Sequence, residues 1–202
     1  MKLVVVADIH GREDAAELIN SVEGDLLVVC GDITHMGRPE NFEISFIKDL
    51  KFKKIFAVPG NCDPQSVLKN LEKLGVSIHK RNVVYEGITF SGLGGADPYS
   101  FNLGVVFNER DVKNMSGDVW VLHQPPYMHL DLAGYRHAGN QWIANHLLRK
   151  KPILVLSGHI HEARGVEEGE TTFINPGPLR DGYYAIVELS GKKVKNVELL
   201  RI

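Results

Sequence analysis

The chain has 202 residues, with 23 Lys plus Arg against 25 Asp plus Glu and an apolar fraction of 44%. A chain of this length can bury about 70% of its unfolded surface in one sizeable core, and its composition excludes disordered, collagen-like and coiled-coil classes. The formal charge of -2 leaves no basic surplus to neutralise a nucleic-acid backbone, which argues against a nucleic-acid partner.

In chain order, Lys2 to Ala7, Asp25 to Cys30, Lys54 to Val58, Val119 to Leu122 and Ile153 to Leu156 are Val/Leu/Ile-rich runs, the composition of strands buried on both faces. Helical spacing joins Ala15, Leu18, Ile19 and Val22, then Phe42, Phe46, Ile47 and Leu50, then Val67, Leu68, Leu71 and Leu74. Asp63 is placed to cap the third of these helices, with Pro64 at its first position and Gly75 beyond its end. Gln141 to Lys150 reads as a further helix that Pro152 stops. Asn82 to Glu86 with Ile88 to Ser91, Thr171 to Ile174, and Tyr183 to Leu189 with Lys193 to Leu200 read as hairpin strands of a second, more antiparallel sheet. No linker or repeat divides the sequence, so one α/β domain over residues 1–202 is expected. Gly94 to Asn108 and Gln124 to Asn140 are long loops, candidate walls of a site.

The longest apolar run, Leu3 to Ala7, is too short to span a bilayer, and Met1 and Lys2 lead straight into it, so neither a membrane partner nor a signal peptide is expected. Cys30 and Cys62 are the only cysteines and form no Cys-x-x-Cys pair; two reduced thiols in a cytoplasmic protein follow. Homo-oligomerisation is left open.

Polar clusters sit where strands end. Asp8 and His10 follow the first, Asp32 the second, Asn61, Cys62 and Asp63 the third, His123 the fourth and His159 and His161 the fifth. Ligands of open α/β sheets bind outside the carboxyl ends of strands, so these clusters are expected to converge. Two carboxylates, one amide oxygen and four imidazoles suit Mn²⁺, Fe, Zn²⁺, Ni²⁺ or Co²⁺ better than Ca²⁺ and are too many for one ion. If Asp32 bridges, two divalent cations each take four protein ligands, as in two-metal hydrolases, and such a centre attracts an anionic phosphoryl group.

The ordered set Asp8-x-His10, Gly31-Asp32, Gly60-Asn61-x-Asp63, His123 and Gly158-His159-x-His161 resembles the signature of the calcineurin-like metallophosphoesterase superfamily. The resemblance implies a four-layer αββα sandwich of two mixed sheets and a dinuclear centre, with Mn²⁺ the first expectation. Asp8, His10, Asp32 and His161 would hold one metal and Asp32, Asn61, His123 and His159 the other. Asp32, Asn61 and His123 are expected to be catalytic as well as ligating, with Asp63 supporting the loop behind them. The implied chemistry is in-line attack on phosphorus by a metal-bridging hydroxide.

Many relatives carry histidine directly after the motif asparagine, as leaving-group acid; Cys62 stands there instead, a poor match for that role. Substrates needing less acid help are therefore favoured, namely small or nucleotide-derived phosphodiesters. The Asn-Cys-Asp variant also resembles a small prokaryotic branch with phosphodiesterase activity. His35 is a substitute acid or a solvated loop residue. His129 and His137 read as polar side chains on the surface of the loop after His123, His79 and His146 as parts of the fold, and Arg12 as an exposed arginine. Tyr99, Phe101, Tyr127 and Tyr135 suit either stacking on a nucleobase or anchoring the loops, and anchoring is the commoner role. The alternative to an enzyme is a non-catalytic scaffold of the same fold that binds a protein partner.

Overall fold

The computed structural model describes residues 1–202. The first half of the chain alternates β1 (Lys2–Val6), α1 (Ala15–Asn20), β2 (Leu26–Cys30), α2 (Phe42–Asp49), β3 (Ile55–Val58) and α3 (Gln65–Lys73). There follow β4 (Arg81–Tyr85), β5 (Ile88–Leu93), α4 (Glu109–Lys113), β6 (Val119–Leu122), the short β7 (Leu132–Ala133) and β8 (Arg136–His137), and α5 (Gln141–Lys150). The chain ends with β9 (Leu154–Leu156), β10 (Gly165–Glu167), β11 (Thr172–Asn175), β12 (Tyr183–Leu189) and β13 (Val194–Arg201).

Two mixed sheets result, in the orders β13-β12-β1-β2-β3 and β10-β11-β9-β6-β5-β4. Alternation along each strand explains how they stack. In β1, Leu3 and Val5 point into a core shared by the two sheets, whereas Val4 and Val6 pack with Ile19, Phe46 and Leu71 of α1, α2 and α3. Trp120, Leu122 and Val155 on the outer face of the second sheet meet Val112 of α4 and Ile143 and Leu147 of α5. Four layers, αββα, therefore enclose three apolar interfaces, and the central strands are apolar on both faces because both are covered. No helix is long and apolar enough to cross a membrane.

Two expectations need correction. The hairpins do not make a second sheet. β12 and β13 extend the first antiparallel, β4 does the same beside β5 and β10 beside β11, while β1-β2-β3 and β5-β6-β9-β11 form the parallel centres. Asp63 does not cap α3, whose first residue is Gln65 and whose cap position is Pro64. Its fully buried carboxylate instead accepts hydrogen bonds from the backbone N–H groups of Gly60 (2.8 Å), Ile33 (3.1 Å) and Thr34 (2.8 Å) and from the Thr34 hydroxyl (2.7 Å). These inward-facing donors lie on the turns after β2 and β3, so Asp63 ties the two turns together.

Asp63→Ala strands three buried N–H groups, each unmet donor costing about 1–3 kcal/mol. The variant is expected to lose about 3 kcal/mol or more of unfolding free energy, measured by urea denaturation. Asp63→Asn, which keeps acceptor oxygen, is expected to lose less.

Candidate metal centre

Asp8, His10, Asp32, Asn61, His123, His159 and His161 all lie just beyond the carboxyl ends of β1, β2, β3, β6 and β9. Three of those strands belong to one sheet and two to the other, so the cluster closes the mouth between the sheets. Bonds across that mouth hold it. His123 Nδ1 meets the Cys30 carbonyl at 2.8 Å, and the His159 N–H donates to both Asp8 oxygens at 3.2 and 3.1 Å. The Cys62 N–H donates to Asp32 Oδ1 at 2.8 Å.

Backbone strain accompanies this convergence. Asp8, His10, Asp32 and His159 adopt φ of 53°, 48°, 49° and 71°, left-handed conformations that cost non-glycine residues free energy and persist only where the surroundings enforce them. Two glycines permit the close approach. A Cβ on Gly158 would lie 2.7 Å from Asp8 Oδ2, and one on Gly60 would collide with Asp32 Oδ1 and the Asp32 backbone.

His123, Asn61 and Asp32 meet as acceptors. In neutral His123 the Nδ1 proton is used on the Cys30 carbonyl, so Nε2 turns a lone pair toward Asn61 Oδ1 at 2.8 Å and Asp32 Oδ1 at 3.5 Å. His10 Nε2 lies 3.2 Å from His161 Nε2 and 3.8 Å from Asp32 Oδ2, and His161 Nε2 lies 3.5 Å from Asp8 Oδ1. His10 Nδ1 is buried without a partner. The donor atoms of Asp8, His10 and His161 lie within 4.8 Å of one another, and so do those of Asp8, Asp32 and His123. A cation relieves such crowding of buried lone pairs, so these residues fit the metal ions that their chemistry implies.

Charge follows the same logic. Burial raises the Asp32 carboxyl, helped by repulsion from Asp8 and opposed by His123. Burial also works to raise Asp8, but its hydrogen bond to His161 and the imidazoles of His123, His161 and His10 prevail and hold it below the ordinary range. Burial lowers His10 to about 4 and, with repulsion from His123, lowers His159 to about 3, which keeps both rings in the neutral form that ligates. The hydrogen bond to Asp8 raises His161.

Other expected contacts distribute as follows. The Cys62 sulfur lies within 4.8 Å of ligand atoms of His10 and Asp32, and burial and the Asp32 carboxylate push its thiol up. His35 is exposed, its ring 5.7 Å from that of His10. Arg12 is spent on Asp14 and on the carbonyls of Leu179 and Arg180. His79 accepts from the Gly94 N–H, and His146 stacks on Trp120 and bonds the Met115 carbonyl, both within the body of the fold.

Three of the four loop aromatics do not anchor their loops, whereas Tyr127 is half-buried with its ring 5.2 Å from that of His137. Tyr99, Phe101 and Tyr135 are 88%, 57% and 103% exposed. Buried carboxylates do that work. Asp97 accepts from Tyr99 N, Ser100 N, Gln124 Nε2 and Asn140 Nδ2, which joins the first long loop to the second. Asp131 accepts from Met128 N and Gly139 N and pairs with His137 at 2.6 Å. His129 pairs with Glu167 at 2.8 Å and stacks on Phe173. Sequence reasoning also passed over Arg180. Its N–H bonds the Asp8 carbonyl, and its charge acts on His10 and His161. It arrives from the link between β11 and β12, with no motif in the chain to mark it.

The family model of calcineurin-like phosphoesterases matches residues 1–163. The chain belongs to that family. As a calcineurin-like phosphoesterase it is one of a metal-dependent group. The protein MJ1162 of Methanocaldococcus jannaschii is 31% identical over 193 residues, covering 88% of each chain. The structure of TT1561 of Thermus thermophilus is similar with a TM-score of 0.75 and 18% identity, covering 99% of this chain and 98% of that one. An archaeal protein described as a novel phosphodiesterase shares the fold with a TM-score of 0.57 and 18% identity, covering 99% and 100%. At these identities the two structures speak for the fold.

Gly60→Ala drives a methyl group into Asp32. It is expected to lower Mn²⁺ affinity by more than about 100-fold, beyond the 10–100-fold usual for losing a partner behind a ligand, measured by titration calorimetry.

Proposed function

We propose that this chain, as one domain over residues 1–202, is a dinuclear metal-dependent phosphoesterase that hydrolyses phosphodiesters, small or nucleotide-derived. Asp8, His10, Asp32 and His161 hold one divalent cation, and Asp32, Asn61, His123 and His159 hold the other. The observation that carries this reading is the Asp32 carboxylate, whose Oδ2 faces His10 at 3.8 Å while Oδ1 faces His123 at 3.5 Å. Each oxygen thus serves a different half of the donor set, the arrangement a bridging ligand needs. Two free cysteines support a cytoplasmic setting.

Bound divalent cations supply positive charge to a phosphoryl oxygen and make water acidic enough to furnish a nucleophile at neutral pH. The protein's own residues set the rest. Asp8 and Asp32 bring two negative charges, fewer than the positive charge of two such cations, so the loaded centre attracts phosphate. The Cys30 carbonyl fixes the His123 tautomer, and the Cys62 N–H fixes the Asp32 carboxylate. The Cys62 thiol, pushed up by burial and Asp32, keeps its proton and gives a departing alkoxide little help, which supports esters with good leaving groups. His35 is the histidine that can supplement it from the solvent side.

With Mn²⁺ added, the protein is expected to hydrolyse bis-p-nitrophenyl phosphate faster than p-nitrophenyl phosphate and to lose that activity to a chelator. Asp32→Ala is expected to lower kcat/KM by more than about 100-fold and to reduce bound metal, whereas Cys62→Ala keeps its metal. Metal binding without turnover of any ester would assign the protein to the scaffold class instead.

A further inference from the structure

The cavity between the two long loops has about 370 Å³ and is lined by Tyr99, Gln124, Tyr127, His137, Asn140 and Trp142, among others. Such a volume lies within the range of small-molecule sites. We propose that it seats the heteroaromatic base of the substrate, so that the esters cleaved here carry a nucleoside; this rests on the phosphodiesterase reading above.

The walls are built independently of the aromatics that face the cavity. Asp97 clamps the first loop to Gln124 and Asn140 of the second through bonds of 3.0 and 3.1 Å. Tyr99 is left 88% exposed beside the half-buried Trp142, with ring centroids 6.3 Å apart and planes at 61°. Tyr127 and His137 form a second ring pair at 5.2 Å. The His137 Nδ1–H donates to buried Asp131, and its Nε2 has no partner in the protein. Planar π-faces with a few polar edges recognise a base by stacking.

The loops that wall the cavity are also joined to the proposed metal ligands. Gln124 directly follows His123, one Cα step of about 3.8 Å, and the Leu103 N–H of the first loop donates to the Asn61 carbonyl at 3.0 Å. A nucleoside ester could then place its phosphate among the ligands while its base lies between the loops.

Tryptophan fluorescence tests this apart from catalysis. Trp120 is fully buried and bonded to the Gly117 carbonyl, so Trp142 is the reporter. The full chain, with and without Mn²⁺, is titrated with adenosine and with ribose. Saturable quenching by adenosine alone is expected, weakened about tenfold in Tyr99→Ala as for one lost stacking partner. Tyr99→Phe is expected to bind normally, Trp142→Phe to lose the signal, and Tyr135→Ala, exposed on the other loop outside this cavity, to bind normally. No saturable quenching, equal quenching by ribose, or undiminished affinity in Tyr99→Ala would overturn the proposal. Turnover of bis-p-nitrophenyl phosphate without adenosine binding removes only the base seat; adenosine binding without turnover of any ester removes the phosphoesterase reading, and with it the claim that the bound base belongs to a substrate.

Discussion

Buried lone pairs crowd one another at the mouth of the two sheets. His123 Nε2 faces Asn61 Oδ1 at 2.8 Å and Asp32 Oδ1 at 3.5 Å, and Asp8 presents a second carboxylate to the same small volume. Acceptors facing acceptors out of reach of water cost free energy, and two neighbouring carboxylates resist ionising together. Positive charge placed among them reverses both penalties. The three apolar interfaces of the sandwich supply the rigidity that keeps these atoms from relaxing apart.

Strain at this end of the molecule has the same origin. Positive φ at Asp8, His10, Asp32 and His159 turns four side chains inward within a few residues of the strands that deliver them. Each such residue resists that conformation, and the surrounding hydrogen bonds oppose the resistance. Asp63 fixes the turns after β2 and β3, the Cys30 carbonyl fixes His123, and the His159 N–H fixes Asp8. The result is a set of side chains positioned before any ligand arrives, which is the condition for electrostatic catalysis without reorganisation.

The convergence of Asp8, Asp32, Asn61, His123 and His159 was legible because a polar residue that follows a buried parallel strand by one to three positions has little choice of place. Which strand joined which sheet was not. Leu3-Val4-Val5-Val6 and Val119-Trp120-Val121-Leu122 are apolar on both faces, so the pattern reads alike whichever sheet takes them. The short α4 escapes notice because its residues Glu109–Lys113 are mostly charged and bury only Val112. Asp63 misleads for a different reason. Its place before Pro64 satisfies the local rule for a helix cap, yet unmet N–H groups far back along the chain, in the turn after β2, claim the carboxylate. The same long-range competition joins the loops through Asp97, while Tyr99, Phe101 and Tyr135, which look like anchors, stand in solvent.

Because Asp97 binds the two loops together at their bases, the exposed side chains beyond it take no part in the hydrogen bonds that hold the cluster of carboxylates and imidazoles. Tyr99 and Phe101 on one side and Tyr135 on the other can be exchanged, lengthened or lost while the knot at Asp97, Gln124 and Asn140 stays closed. A lineage built on this plan can therefore drift in what it accepts without renegotiating how it reacts, and the same seam marks where a protein engineer would graft a new tip.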